Sequence, residues 1–400
     1  MHAAQLLHDL LDNTCQSIDK RIRKTLFSAA ETLTRCKQLS ISTLGRSLDR
    51  FAKVKHTIKC IDRLFGNRTL HAHSKIFYYG MTQLLLNNNK RPIILVDWSG
   101  LTPCGAFHFL RASVAIKGRS LTLYNQAYPL NEYTSEKTHR EFLKTLQSLL
   151  PADCKPIIVT DAGFRNTWFR TILMMDWDFI GRVRNKTQYC KADQNLWLPI
   201  KTLYEQATEK AFYIGRVLLA QASPLDCYFY IVKQKKKYRV KRNLIGKKVQ
   251  CSVSKKHAKG ANEPWLIASS LSTEIISATE IMIIYGKRMQ IEQEFRDVKN
   301  TRNGFGLRHC RSFKVQRLNV ALLIAALGTL ILWLFGTAAK QEKLHYSFQA
   351  NTLKNRDVLS VFMVGWQVLM RPTIDFSKRQ LIAALELVAK LTANGENYVR

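Results

Sequence analysis

Pro92-Ile-Ile-Leu-Val-Asp97 is a short, wholly apolar run that closes on an acid. A run of this length, rich in β-branched residues, reads as a strand buried on both faces. Leu110–Ile116 and Ser120–Tyr124 flank the turn Lys117-Gly118-Arg119 and read as a hairpin. Ser135 to Leu150 has helical periodicity, with Ser135 as N-cap and Pro151 just past its end. Pro156-Ile-Ile-Val-Thr-Asp161 repeats the opening pattern, and a helix over 165–175 and a strand, Phe179–Val183, follow it. The order is three strands in a meander, a helix, and a strand expected beside the first. It predicts a mixed sheet in an α/β chain.

That strand order is the one found in ribonuclease-H-like sheets, and 91–185 with 263–340 are assigned to such a core. Residues 186–262 interrupt it with strand-like pieces, Ala211–Ala220 and Cys227–Val232, and with a run from Lys233 to Lys259 that holds twelve Lys or Arg and no Asp or Glu. Such a run between strands reads as a basic β-rich insertion that meets a polyanion. Residues 1–75 read as helical. Within them Leu39–Leu48 and Lys55–Phe65 are joined by a brief turn, with Ile58, Ile61, Leu64 and Phe65 inward and Lys55, Lys59, Arg63 and Arg68 outward. This is the outline of a helix-turn-helix that binds DNA ends, or of a plain bundle with a cationic face. Residues 341–400, with helices at about 352–370 and 377–392, form a helical C-terminal region suited to dimerisation or DNA contact. The fold class is α/β, in detail an α+β multi-domain chain.

The 400 residues carry 62 Lys and Arg against 29 Asp and Glu, a formal charge of +33. A polyanion is the natural partner, and nucleic acid is the commonest. Hydrophobic residues make up 46%, enough for a large core. The nine cysteines include no Cys-x-x-Cys pair and the ten histidines no metal spacing, which argues against a disulfide framework or zinc site and for a reducing compartment. The N-terminus lacks the pattern of a secretory signal. Val320–Ala339 is twenty residues without a formal charge, long enough to cross a bilayer. Lys314 and Arg317 before it and Lys340 and Lys343 after it leave no charge asymmetry, so a buried core helix is expected.

The chemistry is expected at Tyr285-Gly-Lys-Arg288-Met-Gln-Ile-Glu292-Gln-Glu-Phe-Arg-Asp-Val-Lys299. As one helix, this segment would align Tyr285, Arg288, Glu292 and Lys299 within an arc about 60° wide, beside an apolar arc of Ile284, Ile291, Phe295 and Val298. An ordinary i,i+4 ion pair of Arg288 with Glu292 is the simpler account of that row. Glu294 and Asp297 are read as solvent-side charges, either of which could substitute for Glu292 in a different register, and Trp98 and Trp168 as packing residues. If the strands ending in Asp97 and Asp161 are neighbours, both acids reach one sheet edge, and Glu292 joins them from the helix. Three bare carboxylates would repel, whereas three around hard dications are stable. Two ions about 4 Å apart suit in-line phosphoryl transfer. Arg288, Lys299 and Tyr285 would then hold backbone phosphates without reading bases.

Val-Asp97-Trp-Ser, Val-Thr-Asp161-Ala-Gly-Phe and the spacing of Tyr285, Arg288, Glu292 and Lys299 resemble the DDE transposases of the bacterial insertion sequence four family. Ile61–Asn67, Leu110–Ala115, Glu263-Pro-Trp265 and Gly306–His309 support the likeness, which covers essentially the whole chain. The resemblance implies Asp97, Asp161 and Glu292 as catalytic residues and ligands of two Mg²⁺ ions, with Mn²⁺ able to substitute. It implies cut-and-paste movement of DNA through a hairpin intermediate and strand transfer by a 3′-hydroxyl. Trp265 would stack on a base flipped out as the hairpin forms. The expected partners are double-stranded transposon-end and target DNA and a second protomer in a synaptic homodimer, in the bacterial cytoplasm and without a membrane. The competing readings are a transposase-derived DNA-binding protein and a structure-specific nuclease without strand transfer.

Overall fold

The computed structural model describes residues 3–192, 194–234, 251–252, 260, 262–353 and 356–392. Most of the basic run from Lys233 to Lys259 lies outside the described residues. In chain order the elements begin with α1 (Ala3–Asp12), α2 (Lys20–Cys36), α3 (Ile41–Ser47), α4 (Val54–Phe65), α5 (Arg68–His73) and α6 (Lys75–Leu86). The meander β1 (Ile93–Gly100), β2 (Phe107–Ala115) and β3 (Ser120–Pro129) leads to α7 (Glu136–Leu149), β4 (Ile157–Thr160), α8 (Asn166–Met174) and β5 (Asp178–Val183). Next come β6 (Gln188–Lys191), β7 (Leu198–Pro199), β8 (Phe212–Leu219), β9 (Leu225–Val232) and β10 (Trp265–Ser269). The chain continues through α9 (Ala278–Gly286), α10 (Met289–Lys299), α11 (Val315–Gln341), α12 (Val361–Leu369) and α13 (Lys378–Thr392). Met1–Pro156 and Met289–Glu396 form one compact unit, and Ile157–Arg288 forms the body of a second.

In the first unit β1 pairs antiparallel with β2, and β2 with β3. Ile93–Val96 are buried, and from Asp97 onward β1 becomes half-buried, so the acid stands where the strand leaves the core. Residues two apart share a sheet face. Trp98 therefore points to the α7 side, where its indole Nε1 donates to His139 Nε2 at 3.0 Å. Asp97 and Ser99 belong to the opposite face, with their register partners Arg111 and Phe109. There α10 packs, and Phe295 meets Phe109 edge to face at 5.3 Å.

The apolar α11 is the axis of this unit. It is long and apolar enough to cross a membrane, yet 94% of its most apolar window is buried, as expected for a core helix. It packs on α2, α12, α13 and β3. Glycines permit its closest crossing: a Cβ on Gly365 of α12 would lie 1.9 Å from the Leu332 carbonyl oxygen. The helix expected over 352–370 starts only after Ser360, whose hydroxyl caps Met363 N–H; before it, Asp357 is engaged by Lys340 and His345. Near the N-terminus, α3 and α4 form the expected pair of helices. They touch backbone to backbone at Gly45, where a Cβ would come within 2.4 Å of Ile58 Cα.

The second unit is a mixed sheet in the order β4-β5-β10-β9-β8-β6-β7. Among the described residues of this unit, only β4 and β5 pair in parallel. The helix between them, α8, stacks Phe169 on Phe179 at 4.4 Å. The strands β6 to β9 fall between β5 and β10 in sequence, and β9 and β8 continue the sheet outward from β10. Among the described residues of 186–262, β8 and β9 lie over the two apolar runs expected to be strands, and β6 and β7 are added to them.

Candidate active site

The expected single helix from Tyr285 to Lys299 is two helices. The chain turns at Lys287 and Arg288, so Tyr285 lies in the last turn of α9 and Glu292 in the first turn of α10. Gly286 weakens the helix there, and the unit boundary falls between Arg288 and Met289. The aligned arc of four residues is thus divided among two helices and the turn between them, and each unit holds its own part.

In the first unit, Glu292, Phe295 and Lys299 share one side of α10, since positions three, four and seven apart lie nearly in line. That side is pinned to the sheet. The Lys299 ammonium donates to Ser99 Oγ and lies 5.3 Å from the Phe109 ring centre and 5.5 Å from that of Phe295. Burial drives the Lys299 pKa down to about 8, helped by the charges of Arg308 and Arg111, while the Asp97 carboxylate pulls it up. Asp97 and Lys299 are therefore near enough to feel one another. Asp97 also accepts the Trp98 backbone N–H at 2.8 Å. Glu292 is half-buried on the helix that packs on β1.

In the second unit, Asp161 follows the buried strand β4, half-buried, and its Oδ1 accepts the Gly163 N–H at 2.8 Å. Tyr285 is buried, and burial raises its phenol pKa, while Arg288 and Arg182 lower it and Asp161 raises it. These four residues are thus electrostatically coupled. Trp265 opens β10 and meets Tyr285 edge to face at 5.0 Å. Arg182, which the sequence reading passed over, donates to the Glu263 and Pro264 carbonyls, both at 3.3 Å, immediately before Trp265. Its only visible signal was a basic residue inside the strand Phe179–Val183.

The donors expected to hold metal are oxygens at half-buried positions, the kind hard divalent ions take. Within either unit, no group of three or more His, Cys, Asp or Glu among the described residues is gathered tightly enough to form a ready-made cage. Asp97 and Glu292 stand in one unit and Asp161 in the other.

Residues 88–328 match the family model described as the transposase DDE domain. The chain belongs to this family. The matched segment contains Asp97, Asp161, Trp265, Tyr285, Arg288, Glu292 and Lys299, and it covers most of the chain. A comparison with curated proteins found no match. Membership makes this protein a DNA-transposing enzyme with a ribonuclease-H-like catalytic fold and DNA as its partner, in a family whose members generally use divalent metal ions.

Two charges take places the sequence did not suggest. Glu294 is buried against Arg111, Ser120 and Thr122, and Asp297 is half-buried against Arg119 at 2.9 Å, so neither is a solvent-side charge. The reason is a basic residue facing each acid, Arg111 in the middle of β2 and Arg119 in the turn before β3, that requires a counter-charge. Trp168 is a packing residue as expected, at 1% exposure, and Trp98 packs between Tyr128, Tyr133 and His139.

A basic surface lies elsewhere in the first unit. Arg21 of α2 and Lys59 and Arg63 of α4 line a cleft of about 450 Å³, and Lys53, Lys55 and Arg68 are exposed nearby.

Proposed function

We propose that this enzyme excises a mobile DNA element at its terminal inverted repeats and joins it to target DNA, with Asp97, Asp161 and Glu292 as its catalytic carboxylates. The observation that carries this reading is the pairing of chemistry with family. The match over 88–328 spans all three acids, and in the first unit Lys299 lies against Asp97's strand on the helix that bears Glu292. When bound by these carboxylates, two Mg²⁺ or Mn²⁺ ions would activate the attacking oxygen and stabilise the departing one.

The residues have distinct tasks. Asp97, Asp161 and Glu292 supply the negative oxygens. Lys299, whose ammonium is only partly shielded, binds a backbone phosphate of the end DNA, and Arg288 and Tyr285 orient another. Trp265 offers an aromatic face to a base turned out of the stack. The first 3′-hydroxyl attacks the opposite strand to close a hairpin, and the reopened end attacks target DNA. Residues 1–75 hold the end through the exposed cations of α3 and α4, and the insertion 186–262 adds basic contacts. The region 341–400 supports a homodimer that bridges two ends. On this reading the enzyme is a member of the insertion sequence four family, similar to the transposase of insertion sequence ten, acting in the bacterial cytoplasm.

The test is a supercoiled plasmid bearing two element ends, incubated with the protein and Mg²⁺, and scored for hairpin-ended excised fragments and joined products. Asp97→Asn, Asp161→Asn and Glu292→Gln are each expected to abolish cleavage while end binding persists. Cleavage by any one of them at the parent rate refutes the role of that residue. Nicked ends without joining would assign a nuclease instead.

A further inference from the structure

We propose that Glu294 is a positioning residue that sets the roll of α10, and with it the aim of Glu292; this rests on the catalytic role given to Glu292 above. Glu294 is 2% exposed, and its partner Arg111 is 0% exposed, with Nη1 at 3.1 Å from Glu294 Oε1. Ser120 Oγ donates to Glu294 Oε2 at 2.7 Å, and the Thr122 hydroxyl donates to Oε1. Arg111 is itself held, because its Nε donates to Asn125 Oδ1 at 2.7 Å. Both oxygens of one carboxylate are therefore engaged by β2 and β3. Arg111 is also the register partner of Asp97. A continuous chain of contacts thus runs from the strand of one catalytic acid to the helix of another.

The location of this network is what gives it a role. Helix α10 has 11 residues and begins directly after the unit boundary at Arg288. A helix that short is marginal by itself and takes its register from packing. Ile291, Phe295 and Val298 are buried, but an apolar stripe alone tolerates some rotation about the helix axis. Glu294 does not, since any roll would strip a buried carboxylate and a buried guanidinium of their partners. At about 100° per residue, Glu292 lies about 160° around the axis from Glu294, on the side that carries Lys299. One turn further on, Asp297 is tied to Arg119, which guards against the same rotation. A buried ion pair contributes little stability over an apolar pair of equal volume, but it specifies register. That is the property a catalytic helix needs.

The experiment separates stability from aim. The double variant Arg111→Met/Glu294→Leu replaces the pair by apolar side chains, and Glu292→Gln is run beside it. Measured are the urea midpoint, end-DNA binding without Mg²⁺, the single-turnover nicking rate across Mg²⁺ concentrations, and the rise in melting temperature that Mg²⁺ causes in the end-DNA complex. The double variant is expected to keep its urea midpoint and DNA affinity, to nick at least about tenfold more slowly, to need more Mg²⁺ for half-maximal rate, and to lose part of the Mg²⁺-dependent melting shift. Parental nicking with an unchanged Mg²⁺ midpoint overturns the proposal. If the double variant does not fold, Thr122→Val, which removes one donor and leaves the ion pair, must show the same higher Mg²⁺ requirement; an unchanged requirement again overturns it. Parental cleavage by Glu292→Gln defeats the catalytic assignment and the proposal with it. An inactive Glu292→Gln beside a normal double variant defeats the proposal alone.

Discussion

The contact between Trp98 and His139 makes the stability of the first unit depend on pH in a defined window. His139 is 5% exposed, and its Nε2 accepts the Trp98 indole N–H, so it must be neutral at that nitrogen. Burial lowers its pKa from 6.5 to about 4. Between those two values the unfolded chain binds a proton that the folded chain refuses, so stability falls as pH falls. The full difference corresponds to about 3 kcal/mol, with about 2 kcal/mol already lost by pH 5. Other groups also titrate over this range, so the assay compares parent and His139→Met by urea unfolding at several pH values. The variant should begin less stable at pH 7, because it loses the hydrogen bond, and the gap should close as pH approaches 4. A gap that stays constant from pH 7 to 4 refutes the assignment of a neutral buried imidazole. Because Trp98 is adjacent to Asp97, nicking activity of the parent should also decline more steeply below pH 6 than that of the variant.

Other outcomes can be tested with the same materials. Gly365→Ala should destabilise the first unit by about 3 kcal/mol or more, since the added methyl collides with the Leu332 carbonyl across α11 and α12; a urea midpoint like the parent's would contradict that crossing. Trp265→Ala should slow hairpin closure more than the first nick, and equal slowing of both in a time course would mark Trp265 as a packing partner of Tyr285. End-DNA affinity should fall at least about tenfold between about 50 and 200 mM salt, and a flat profile by gel shift would mean that the excess positive charge is not spent on phosphates.

Much of the architecture was legible because buried strands announce themselves. Pro92–Asp97 and Pro156–Asp161 are apolar on both faces and stop at an acid, and the structure has β1 and β4 over those runs with the acids half-buried at the points of emergence. The cap at Ser135 and the burial of Val320–Ala339 were equally readable from composition and spacing. The break at Lys287 was not, because the spacing of Tyr285, Arg288, Glu292 and Lys299 stays in helical phase whether or not the helix is continuous. Glu294 was misread for a related reason. Periodicity shows which face a residue occupies, not whether a counter-charge waits there. The available signal was Arg111, a cation in the run Leu110–Ile116 otherwise made of apolar and small residues, since a buried guanidinium demands an acid from another element.

The first unit is assembled from two separated stretches of chain, and its central helix α11 rests on α2, made before it, and on α12 and α13, made after it. During synthesis, therefore, a long greasy segment leaves the ribosome before two of the helices that will cover it have been translated. The second unit, contiguous from 157 to 288, can close while this happens. Chains truncated after α11 would leave the faces that α12 and α13 cover open to water, prone to aggregate or to be captured by chaperones.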